Sequence, residues 1–83
     1  MIARIWHGWT KPADAKTYEK LLHDEIFPSE AGDEVEFVTL LRFDSMDVVT
    51  EFAGPDASKP VIFPKAEALI ARMEPAQHYR IAI

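Results

Sequence analysis

Six residues, Pro28-Ser29-Glu30-Ala31-Gly32-Asp33, separate two long patterned stretches, and that brevity constrains the fold more than any other feature of the chain. Before them, Ala15, Tyr18, Leu22 and Ile26, with Leu21 alongside, recur at helical spacing as far as Glu25-Ile26-Phe27, and Pro28 is expected to stop that helix. After them, residues 34–43 alternate as a strand, with Val35, Phe37, Thr39, Leu41 and Phe43 on one face and Glu36, Val38, Leu40 and Arg42 on the other. A strand of that length spans roughly 33 Å, whereas the linker reaches at most about 20 Å. The chain cannot return along a sheet before Glu34 unless the helix unravels near Phe27, the Glu34 strand shifts, or a second copy supplies the pairing by exchange.

The remaining segments continue the alternation of strand and helix. Residues 2–9 read as a strand with Ile2, Arg4, Trp6 and Gly8 on one face and Ala3, Ile5, His7 and Trp9 on the other. Neither face of this strand or of 34–43 is purely polar, which suits a sheet covered on both sides. Thr10 and Pro12 are placed to open the first helix, and Asp44-Ser45 to cap a short second one with Met46, Val49, Phe52 and Ala53 as its stripe, ended by Gly54-Pro55. Residues 54–63 read as a loop, with Pro60-Val61-Ile62-Phe63 oddly apolar for one. A third helix is expected from Pro64 to Met73, packing through Ala66, Leu69, Ile70 and Met73, and a last strand from Gln77 to Ile83.

Composition narrows the class. Eighty-three residues make one domain, 1–83, whose own core is marginal without added area from a partner. A net charge of −5 with scattered Lys and Arg argues against a sequence-independent grip on nucleic acid. The absence of cysteine removes disulfides and thiolate chemistry. No apolar run approaches a membrane span and the start lacks a signal-peptide pattern, so the expectation is a soluble, cytoplasmic protein that touches no membrane.

Three stretches together carry a resemblance: Ile2-Ala3-Arg4-Ile5-Trp6-His7-Gly8-Trp9-Thr10, then Glu34 to Ser45, then Gln77-His78-Tyr79. They resemble the short antibiotic-biosynthesis-monooxygenase family of the dimeric α+β barrel superfamily. The resemblance implies an α+β fold with a ferredoxin-like antiparallel sheet of strand order 4-1-3-2, helices on one face, and a second subunit on the other. Against that pattern this chain reads as lacking one edge strand, the second. The resemblance also implies oxidation of small aromatic or polyketide-like phenols by molecular oxygen without metal or flavin, hence no cofactor. At the positions where a haem-degrading branch carries asparagine, tryptophan and histidine, this chain carries Ile5, Phe52 and Ile62, which neither ligate iron nor hydrogen-bond bound oxygen.

Within that frame His7 is the candidate catalytic base. It would take a proton from a phenol held in an apolar pocket between sheet and helices by Trp9, Thr39, Tyr79 and Phe52. The plainer reading makes His7 a hydrogen-bonded, half-buried histidine among core aromatics. Arg4, Arg42, Arg80 and His78 share parity with Glu36 and Trp6 and are expected at a subunit interface, paired with Glu36. His23 reads as a surface residue. The histidines at 7, 23 and 78 have no metal-ligand spacing, so no metal site is expected. Two functions follow as alternatives: a cofactor-independent monooxygenase, or a non-catalytic homodimeric ligand-binding or structural domain of the same fold.

Overall fold

The computed structural model describes residues 1–22 and 25–82, and of Ala31 the backbone alone; His23, read above as a surface residue, and Ile83, at the end of the expected last strand, lie outside them. The described residues form a small α+β domain with an antiparallel sheet of five strands and a few helices. Strand β1 (Ile2–Thr10) lies at its centre, followed in the chain by a 3-10 turn at Pro12–Asp14 and helix α1 (Ala15–Leu21). Next come β2 (Glu25–Ala31), β3 (Glu34–Phe43) and α2 (Met46–Ala53), then α3 (Pro64–Glu67), β4 (Ile70–Met73) and β5 (Gln77–Arg80). The strands run β2-β3-β1-β4, with β5 pairing the other half of β1.

The edge strand expected to be missing is present. Helix α1 ends at Leu21, not near Phe27, and Leu22 already has extended backbone (φ −99°, ψ 141°). The seven residues Glu25–Ala31 then pair antiparallel with β3, from Glu25 opposite Leu40 to Ala31 opposite Glu34. Of the three escapes from the short linker, the first is the one realised: the helix gives way to strand. Gly32 makes the reversal possible, since its φ of 66° is the left-handed backbone that a two-residue hairpin demands at its first central position. Pro28 is no obstacle, because β2 is the outermost strand and an edge tolerates a residue that cannot donate to a ladder. The helical stripe and the strand share their core residues. Ala15, Leu21, Leu22 and Ile26 all pack on the central cluster, but Ile26 reaches it from β2.

A second correction concerns residues 64–73. Helix α3 stops at Glu67, and the chain turns through a Leu69 N–H to Ala66 O bond into β4. β4 pairs with Gly8, Trp9 and Thr10, and β5 with Ile2 to Ile5, so both flank the same side of β1. Pro75 lies between the two strands. Thr10 is not a cap either: it is fully buried as the last residue of β1 and its hydroxyl donates to Lys11 O at 3.0 Å. Strand β3 and helix α2 have the expected bounds, and Ser45 Oγ accepts from Val48 N at the start of α2.

All three helices lie on one face of the sheet. Trp6, Val35 and Phe37 form the sheet's side of the core, met by Tyr18 of α1 and Ala66 of α3, with Tyr18 edge-on to Phe37 at 4.9 Å between ring centres. The indole of Trp6 lies over Gly8, where a β-carbon would overlap its six-membered ring. Among the described residues, no helix lies on the other face of the sheet. That face presents Ile5, His7, Trp9, Val38 and Leu40, all partly exposed, together with Phe27 and Tyr79, which are 53% and 49% exposed.

Candidate functional site

Register decides what each face can do. β1 and β3 pair with Arg4 opposite Leu41, Trp6 opposite Thr39, Gly8 opposite Phe37 and Thr10 opposite Val35, and directly opposed side chains share a face. These residues point toward the helices. Ala3, Ile5, His7 and Trp9 oppose Arg42, Leu40, Val38 and Glu36, and these point away.

On the helix side, sheet and helices leave a cavity of about 340 Å³. Its floor is Arg4 and Trp6 of β1 with Thr39 and Leu41 of β3. Tyr18, Leu22, Ala66, Phe52 of α2 and the loop residues Val61, Ile62 and Phe63 complete the lining. The volume falls in the range of small-molecule sites, and the lining is mainly aliphatic and aromatic, as such sites are. A wider recess of about 630 Å³ lies between α1 and β2, but charged Lys16, Glu19, Glu30 and Glu34 are among its lining residues, so it offers a ligand less apolar surface.

Arg4 holds the loop wall in place. Only 3% exposed, it donates from Nη1 to Ala57 O at 2.5 Å and from Nη2 to Lys59 O at 2.8 Å. Nη1 also lies 3.0 Å from Nε2 of His78 on β5, and a guanidinium only donates, so Nε2 accepts and the imidazole is neutral there. Burial, and then the adjacent Arg4 charge, push the His78 pKa below its ordinary value. Burial likewise lowers that of Arg4. The Arg4 guanidinium stands 5.6 Å from the centre of the Phe52 ring, which packs on Phe43 at 5.4 Å. At the start of the loop, Asp56 Oδ1 accepts from the backbone and hydroxyl of Ser58, bonds that hold its carboxyl below the usual range.

The five expected site residues divide between the two faces. Thr39 and Phe52 line the cavity, whereas His7, Trp9 and Tyr79 lie on the open face. His7 Nδ1 is 2.8 Å from Glu36 Oε2, and its ring stacks near Trp9 with centres 6.3 Å apart. Arg72 covers Trp9 at 3.9 Å and bridges to Glu34 at 3.0 Å. Tyr79 opposes Ala3 and its hydroxyl bonds Gln77 Oε1. The expected interface group divides too: Arg4, Trp6 and His78 face the helices, while Glu36 and Arg42 do not. Glu36 pairs with His7, and Arg42 lies 3.6 Å from Glu25.

Alternation alone groups residues within a strand, but matching faces between strands requires the register, which no local pattern supplies. That is why Arg4 and Trp6 escape as cavity residues. Two signals point to them: Gly8, which leaves room for an indole two positions away on the same face, and the apolar Val61-Ile62-Phe63 run within a loop. Among the described residues lining the cavity there is no carboxylate, histidine or lysine. Among the described residues no group of three or more His, Asp or Glu is placed to share a metal ion, and no helix is long and apolar enough to cross a membrane. Compared with known protein families, with curated proteins and with solved structures, the chain matches none of them.

Proposed function

We propose that this chain is a small ligand-binding domain that holds an apolar, ring-sized molecule between its sheet and its helices. The observation that carries the reading is the cavity itself: about 340 Å³, walled by Tyr18, Leu41, Phe52, Ile62 and Ala66, with a buried cation tying down its loop wall. A ligand entering it gains by removing apolar surface from water at about 25 cal/mol per Å². The strand order and one-sided helices agree with a ferredoxin-like sheet, and the helix-free face with a second copy packed on it as in a dimeric barrel. Ile5, Trp9, Val38, Leu40, Phe27 and Tyr79 would leave water at that interface.

The test is a two-dimensional NMR titration with naphthalene, combined with native mass spectrometry of the untagged protein. Binding in the cavity moves the signals of Leu41, Ile62 and Ala66 and leaves Val38 and Leu40 unmoved, in a protein of twice the chain mass. No shift, or shifts confined to the open face, would overturn the cavity reading, and a monomer the dimer.

A second reading is oxidation of a phenol by molecular oxygen, with His7 as base, and the His7–Glu36 pair favours it. With Nδ1 donating to the carboxylate, Nε2 is left to accept a proton. In that reading the substrate lies on the open face, between subunits, and Trp9 and Tyr79 touch it there. Oxygen uptake with anthrone or quinol substrates that is abolished by His7→Ala would support it. Absence of uptake by an intact dimer counts against it.

A further inference from the structure

We infer that Trp6 and Thr39 form a polar socket in the cavity wall that selects ligands carrying an oxygen acceptor, such as a ketone, on an otherwise apolar ring system. The inference rests on the cavity being a binding site and adds what that site discriminates.

Two observations carry it. Trp6 Nε1 and Thr39 Oγ1 are the two side-chain polar atoms, among the described residues, that are buried without a hydrogen-bond partner. They also belong to directly opposed residues of β1 and β3, and both residues line the same cavity. Buried polar groups are almost always paired, so two unpaired ones on directly opposed residues that line one cavity call for a common partner, met by a small shift of the two side chains, since neither atom is open to the empty cavity. An indole N–H only donates and a threonine hydroxyl donates or accepts, so a single oxygen with two lone pairs can satisfy both. The benzo edge of Trp6 lies over Gly8.

Two probes of nearly the same outline test this: 2-acetylnaphthalene and 2-isopropylnaphthalene, which replaces the carbonyl by a methyl-bearing carbon. Thr39→Val, which keeps the side chain's shape, is compared with the unaltered protein. The expected result is that the affinity ratio of ketone to hydrocarbon falls roughly three- to tenfold in T39V, the loss of one hydrogen bond. The Trp6 indole N–H resonance should move with the ketone and stay with the hydrocarbon. Trp9, on the opposite face, is the internal control and should move with neither. This second readout needs no variant. An unchanged ratio with an unmoved Trp6 signal overturns the socket. If neither the hydrocarbon nor the ketone binds at all, the cavity reading itself falls, and the socket with it.

Discussion

His7 and Glu36 meet across β1 and β3, Nδ1 to Oε2 at 2.8 Å, on the sheet face turned away from the cavity. The residue whose chemistry is most versatile is thus separated by the thickness of the sheet from the site that best fits a small molecule. Both side chains are about one-third exposed, 37% and 30%. Such a pair contributes little: a double-mutant cycle of His7→Ala and Glu36→Ala should give a coupling of about 1 kcal/mol or less in denaturant unfolding. The same His7→Ala variant should bind naphthalene with unchanged affinity, as measured by NMR titration.

Arg4 is expected to matter far more than any other charged residue. Arg4→Met fills similar space but leaves Ala57 O and Lys59 O without their donors, a loss of about 1–3 kcal/mol in unfolding free energy. The loop wall loses its anchor at the same time, so the variant should bind naphthalene more weakly even at temperatures where it is fully folded. Urea unfolding and titration of the same sample check both.

Stability should fall on mild acidification, through His78. Its pKa is lowered in the folded protein, so below its ordinary value of about 6.5 the unfolded chain takes up a proton that the folded one resists. The stabilisation is therefore complete above about pH 6.5 and is lost as pH falls below it toward the folded-state pKa. Protonation also removes the acceptor for Arg4 and sets two cations side by side. His78→Gln, whose amide oxygen can still accept from Arg4, should flatten this part of a melting-temperature profile between pH 7.5 and 5.

Gly8→Ala tests how tightly the core is built around Trp6. The added methyl would overlap the indole ring, which is held between the sheet and the α1 and α3 residues of the core, and overpacking of this kind costs about 1–3 kcal/mol. Backbone conformation has no share in the effect, since Gly8 is not at positive φ. Gly32→Ala, by contrast, has open space around it and is strained only through its φ of 66°. Thermal unfolding of both should show losses from these two separate causes.

The sequence makes the strongly patterned elements legible: β1, β3 and α2 follow from alternation, from helical spacing and from the Ser45 cap. Glu25 to Ala31 misleads because Leu21, Leu22 and Ile26 satisfy a helical period and a strand's inward face equally well. A proline inside the segment reads as a helix stop unless the strand is known to lie at an edge. Leu69, Ile70 and Met73 mislead in the same way, since a short apolar run fits both periods. At the candidate site, Thr39 and Phe52 are found from sequence and Arg4 and Trp6 are not. Each strand's alternation is plain, but the pairing that brings Trp6 opposite Thr39 joins residues thirty-three positions apart and is a property of the assembled sheet.

That central strand carries a kinetic consequence. One side of β1 pairs with β3, but its other side is completed only by β4 and β5, with Ile2 opposite Arg80. Closing so long a loop costs entropy before any of its contacts repays it. A chain whose middle strand waits for its most distant partners should fold on the millisecond-to-second scale of sheet proteins, not at the speed of a helical bundle of equal size. During that wait the row of unpaired groups on β1, Ile5, Trp9 and their neighbours is a template for a second chain. Dilution during refolding should therefore raise the yield of native protein.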